Sequence, residues 1–157
     1  METTSIIGLV ALGVGGVTLV VVVLIKGVYA FMKGPLEERI AAQYGQNEIL
    51  MQDLKANSFG RESAGVWQCR GNGGLVLTAK HLHFFQFLPR RDLCVPIDTI
   101  TELTMTRSHL GKATLYELLK VHFSTNGQRD SIAWYLTDPQ AWKHRIAAIQ
   151  AGGATKD

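Results

Sequence analysis

Residues 6–25, Ile-Ile-Gly-Leu-Val-Ala-Leu-Gly-Val-Gly-Gly-Val-Thr-Leu-Val-Val-Val-Val-Leu-Ile, run for twenty positions without a charge and with one hydroxyl, Thr18. As an α-helix rising about 1.5 Å per residue, this run measures roughly 30 Å, the hydrocarbon thickness of a bilayer. A core helix of a small domain carries a polar face, whereas this segment is apolar on every side. The sequence therefore predicts a single N-terminal transmembrane helix over 6–25, preceded by a short tail over 1–5.

A cleavable signal peptide is the competing reading, and it requires a basic leader and a shorter apolar core. Here the leader Met-Glu-Thr-Thr-Ser carries only Glu2 as a charge, although Val28 and Ala30 offer a small-residue cleavage pair. Lys26, Lys33 and Arg39 follow the run and no Lys or Arg precedes it. The positive-inside rule then predicts a single-pass protein of the cell membrane, N-terminus outside and C-terminal domain cytoplasmic. Gly8, Ala11 and Gly15 form a small-residue stripe, a transmembrane packing face for a homodimer, though glycine is common in membrane helices anyway.

Composition bounds the rest of the chain. Sixteen Lys and Arg against twelve Asp and Glu leave a net +4 after residue 25, which suits an anionic inner leaflet and is too small to argue for nucleic acid. Cys69 and Cys94 are the only cysteines, and in a reducing compartment they predict no structural disulfide.

Gly34-Pro35 interrupts the helical pattern, and Pro35 suits the first turn of a new helix through Tyr44. Residues 26–56 read as a juxtamembrane linker of helical character. From Gly65 the period becomes two. Strands are expected at Val66–Arg70, Leu75–Thr78, His81–Phe87, Leu93–Pro96, Ile100–Thr106, Leu115–Ser124 and Ser131–Tyr135. Gly71-Asn-Gly-Gly74 reads as a tight turn and Asn126-Gly127 as a hairpin. Thr137-Asp138-Pro139 then supplies an N-cap and a first-turn proline to an amphipathic helix whose stripe is Trp142, Ile146 and Ile149. Residues 151–157 read as a disordered tail.

This order, together with Gly73-Gly-Leu-Val-Leu-Thr78, His81-Leu-His-Phe-Phe85, Val95-Pro-Ile97 and Ile100, resembles bacterial PH-like and GRAM-type domains. Arg107-Ser-His-Leu-Gly-Lys112 and Ser131-Ile-Ala-Trp-Tyr135 are similar to a subgroup of them. The likeness covers roughly 47–150 and rests on apolar strand positions rather than chemistry. It implies a mainly β, α+β chain: a PH-like, seven-stranded antiparallel barrel or sandwich over 57–150, capped by the C-terminal helix. The first hairpin of eukaryotic PH domains carries a basic lipid signature. Here it offers Arg70, then Gly71-Asn-Gly-Gly74, with Lys80 well beyond, so a specific inositol-phosphate site is not implied.

Two loops carry the remaining cations. Arg90 and Arg91 follow the third expected strand, and Arg107, His109 and Lys112 lie in a second loop. Brought to one end of a barrel, the five would form a patch for an anion or an acidic partner. At about 1 kcal/mol per cation, that patch acts only within a Debye length of roughly 8 Å from a leaflet. Solvated loop charges partly paired with Asp92, Asp98 and Glu102 are the simpler reading.

His81, His83 and His122 lack supporting ligands at a metal-site spacing, and Cys69 sits in an alternating stretch that suits packing rather than nucleophilic chemistry. No serine, paired-carboxylate or phosphate-loop motif is present. The expectation is a non-enzymatic interaction module without cofactor or metal. Tethered beside inner-leaflet lipids, it would hold a protein partner at the cytoplasmic membrane face. The alternative is a sensor of anionic headgroups through loops 90–91 and 107–112. A tether supplies an effective concentration on the order of millimolar, so lipid affinity is not needed for recruitment.

Overall fold

The computed structural model describes the backbone of residues 2–153 and the side chains of 16–24, 26–27 and 33–152. Helix α1, Glu2–Gln43, does not stop after the apolar run. It continues through Gly34 and Pro35, so Pro35 stands inside one helix instead of opening a second. Among the described residues no helix is long and apolar enough to cross a membrane. The single transmembrane helix expected over 6–25 is corrected accordingly. Helix α1 instead runs on past Lys26, Lys33 and Pro35 and seats Leu36 and Ile40 on the sheet. Gly8, Ala11 and Gly15 lie outside the described side chains.

Seven strands come next: β1 Met51–Arg61, β2 Gly71–Leu77, β3 His81–Gln86, β4 Asp92–Pro96, β5 Ile100–His109, β6 Lys112–Thr125 and β7 Gln128–Tyr135. They pair antiparallel in one sheet of order β4-β3-β2-β1-β7-β6-β5. The outer strands β4 and β5 are not joined by a ladder, so the expected barrel or sandwich is corrected to an open sheet. The chain passes from β4 to β5 through the short 3-10 turn Ile97–Thr99, and a helix packs against this turn, β5 and β6. That helix is α2, Pro139–Gly153. Its Trp142 and Ile146 enter the main core, and the Gln150 amide donates to the carbonyls of Ile97 (3.3 Å) and Ile100 (2.8 Å).

The sheet is nevertheless strongly curled. Three strand spacings of about 4.8 Å separate β3 from β7 along the sheet, some 14 Å if it were flat. The Phe84 and Trp134 ring centroids, on those two strands, lie 6.0 Å apart. Bulges in β1 between Asp53 and Ala56 and between Ser58 and Arg61 supply bending. One core thus gathers Leu75, Leu82, Phe84 and Val95 from one half with Leu119, Val121, Ile132 and Trp134 from the other.

The outer face is partly covered too. Leu36 and Ile40 of α1 pack on Val76 and Phe85, with Tyr44, Ile49, Leu54 and Phe87 around them. The Arg39 guanidinium donates to the Gln86 carbonyl at 3.1 Å and pairs with Asp92. Gly71–Gly74 accordingly is not a turn but the start of β2. A Cβ at Gly73 would meet the Phe85 carbonyl oxygen at 2.2 Å, and one at Gly74 would meet Leu36 at 2.9 Å. Close approach, rather than chain reversal, requires these glycines.

Asn126-Gly127 does turn the β6–β7 hairpin, with φ of 51° and 74°. Leu110-Gly111 turns β5 into β6 in the same manner. The Asp138 carboxylate accepts from the Ala141 N–H at 2.9 Å and caps α2.

Candidate interaction surface

Val66–Arg70, expected as the first strand, lies in the connection from β1 to β2, after a 3-10 turn over Glu62–Ala64. Its base is firmly held. Asp130, buried at the start of β7, accepts from the Ser63 N–H (2.9 Å), the Ser63 hydroxyl (2.7 Å), the Ser131 N–H (2.8 Å) and the Arg61 guanidinium. Burial pushes the Asp130 carboxyl upward, but these bonds outweigh it and hold it below the ordinary range. The Ser131 hydroxyl donates to Glu62, the main reason that carboxyl also lies low. Gln68 accepts from the Arg61 N–H at 3.0 Å and donates to its carbonyl at 2.5 Å.

The β5–β6 hairpin bends back over this connection. Thr106 pairs with Leu118, but Ser108 already pairs with Ala113, so β6 bulges over Thr114–Glu117. The Lys112 ammonium donates to the carbonyls of Phe59 (3.3 Å) and Gln68, and Arg70 donates to Ala113 (3.4 Å) while lying 4.1 Å from the Phe59 ring centroid. Buried His109 donates from Nε2 to the Gly60 carbonyl at 2.9 Å. Burial lowers its pKa and the Gly60 bond offsets part of that.

Between these anchored parts, apolar side chains face water. Trp67 is 97% exposed, Leu115 89% and Tyr116 62%, with Val66 beside them in sequence. Tyr116 leans on Tyr135 with centroids 5.3 Å apart. The β1–β2 connection that carries Trp67 and the β6 segment that carries Leu115 and Tyr116 are joined by the Arg70–Ala113 and Lys112–Gln68 bonds.

Of the five expected anion-binding residues, Arg90 and Arg91 are exposed between β3 and β4, and Arg107 is exposed on β5. His109 and Lys112 are engaged with backbone carbonyls in the hairpin packing described above. No described contact joins loop 88–91 to the hairpin: Arg90 and Arg91 precede β4, whereas Arg107, His109 and Lys112 lie at the end of β5 remote from the β4–β5 turn. His81 and His83 stay together on β3, while His122 lies on β6. His83 is buried, stacked on Phe85 at 4.0 Å, with Nδ1 2.9 Å from the Tyr44 hydroxyl. Burial lowers its pKa. The same burial, with Cys94 nearby, pushes the Tyr44 hydroxyl up to about 12. His81 pairs with Pro96, and His122 lies opposite Glu102 and Ser131. Among the described residues no group of three His, Cys, Asp or Glu side chains is placed to hold a metal. Cys69 and Cys94 are free thiols.

The surface residues Trp67, Leu115 and Tyr116 were not singled out by sequence, since Val66-Trp67 and Leu115 read equally well as strand interior. No protein-family model matches this chain, and no curated protein does. Among solved structures, the crystal structure of the C-terminal domain of an unknown protein from Leishmania infantum is similar at 16% identity and a TM-score of 0.47. The match covers 80% of this chain and 98% of that one.

Proposed function

We propose that this chain is a non-enzymatic interaction module whose body holds a protein partner. The observation that carries this reading is the exposure of Trp67 (97%) in the β1–β2 connection and of Leu115 and Tyr116 on β6, two segments that Arg70–Ala113 and Lys112–Gln68 hydrogen bonds hold together. Trp and Tyr are enriched at binding hot spots because they bury large area with few rotatable bonds. Covering one such aromatic is worth about 1.5–3 kcal/mol. Hydrogen bonds already hold the base of the loop, so little ordering entropy opposes its capture.

The location we propose is the cytoplasmic membrane face. It rests on sequence alone, on the net +4 after residue 25, which suits an anionic inner leaflet. The headgroup-sensor reading draws less support, because His109 and Lys112 spend their donors inside the fold.

A photo-crosslinking residue at position 67, introduced in cells, tests the module. A defined protein adduct that disappears with Leu115→Ser and Tyr116→Ser, but survives Arg90→Glu with Arg91→Glu, is the expected result. Adducts with lipid alone, or capture indifferent to the patch substitutions, would refute it.

A further inference from the structure

Beside the exposed patch, the outer face of β2, β1, β7 and β6 forms a groove of about 360 Å³ whose lining includes Lys55, Asn57, Phe59, Arg70, Tyr116 and Tyr135. We propose that this groove takes an acidic peptide segment of the partner, a refinement that rests on the interaction-module reading above. The first reason is charge. The lining contains two cations, Lys55 and Arg70, and no Asp or Glu. Opposite charge on the occupant is what such a surface selects.

The second reason is the posture of Arg70. Its guanidinium lies 4.1 Å from the centroid of Phe59 and donates one bond, at 3.4 Å, to Ala113. Stacking fixes the planar fork before any ligand arrives and leaves other N–H donors for a carboxylate, which guanidinium binds in a two-point geometry. The Asn57 amide is already committed within the lining, its nitrogen donating to Asn72. Tyr116 and Tyr135 complete a wall on which an apolar side chain of the same peptide would lie.

Fluorescence anisotropy with the full chain in detergent tests this. The probe is a labelled peptide of about a dozen alternating Glu and Tyr residues, compared with its Gln-Tyr counterpart at low and physiological salt. The expected result is binding at least about ten-fold tighter for the Glu peptide, weakened about ten-fold or more by Arg70→Glu and by Lys55→Glu. Arg90→Glu with Arg91→Glu should leave it unchanged, with near-ultraviolet circular dichroism confirming that each variant is folded.

Equal binding of the Glu and Gln peptides would overturn the proposal, as would indifference to both groove substitutions. Tighter binding of an oligothymidylate or of phosphatidylglycerol vesicles, lost with Arg70→Glu, would assign the groove to a phosphodiester and likewise overturn it. Loss of peptide binding with crosslinking from position 67 intact would fell this inference alone. Peptide binding with no protein adduct at position 67 would instead refute the exposed patch as the partner's contact.

Discussion

Asp130→Ala should destabilise the fold by about 3 kcal/mol and loosen the connection that presents Trp67. The carboxylate is 3% exposed and accepts from three groups at 2.7–2.9 Å as well as from Arg61. A hydrogen bond to a charged group is worth about 1.5–3 kcal/mol singly, but four donors sharing one acceptor do not add. The Arg61 side chain is 35% exposed, so its share is discounted for solvent screening. About 3 kcal/mol corresponds to roughly a hundred-fold shift in the unfolding constant.

The pH dependence has a fixed sign. The folded carboxyl titrates below its unfolded value of about 3.9, so the unfolded chain takes up the proton first as pH falls. The stability Asp130 contributes is full above pH about 4 and is lost as pH drops through the lower folded value. Urea unfolding followed by tryptophan fluorescence, across pH 3–7 and in the full chain, reads both quantities. Limited proteolysis reads loosening at 62–70. A midpoint at pH 7 equal to that of the parent chain, or an unchanged acid limb in the Ala variant, would refute the reasoning.

Other parts of the structure yield three further outcomes. Gly73→Ala drives a methyl into the Phe85 carbonyl at 2.2 Å and should cost about 1–3 kcal/mol or more, read as a lowered thermal midpoint. Trp142→Ala empties the contact between α2 and the sheet and should cost about 3–5 kcal/mol in urea unfolding. His83 and His109 are both held neutral by burial, with folded pKa values below the unfolded value of about 6.5. Their stabilisation is present above that pH and is lost as pH falls through the lower folded values, so replacing both with Gln should flatten stability between pH 7 and 5.

Much of the sheet was legible because its inward residues alternate. Leu82 and Phe84 on β3 and Ile132 and Trp134 on β7 alternate into the one core, and Asn126-Gly127 turns where both positive φ values are needed. The first strand was not legible. In β1 the buried positions include Asp53, Ala56 and Ser58, and two bulges break the period, so nothing apolar repeats at two. Val66-Trp67 mimicked a strand through β-propensity, which reports how well a residue fits a half-buried surface and not whether that surface exists. Gly71–Gly74 mimicked a turn for a related reason. Glycine signals either chain reversal or close approach, and only the position of Phe85 and Leu36 tells them apart.

The candidate site divides in the same way. Sequence placed Arg90, Arg91, Arg107, His109 and Lys112 in loops, and local pattern sufficed for that. Whether they meet depends on the path of the chain, and Arg90 and Arg91 precede β4 while Arg107, His109 and Lys112 lie at the end of β5 remote from the β4–β5 turn. The hairpin then folds over β1 and uses His109 and Lys112 on carbonyls more than forty residues away.

By itself, the sequence determined the apolar character of 6–25, the mainly β body, the capped C-terminal helix and its Trp142–Ile146 stripe, because each is written in neighbours a few residues apart. Tertiary structure alone decided that α1 continues past Pro35 to seat Leu36 and Ile40 on the sheet. It decided too that the sheet curls without closing, and that Trp67 and Leu115 are left in water. Those outcomes depend on which distant surfaces compete to cover which, and a linear pattern does not contain that competition.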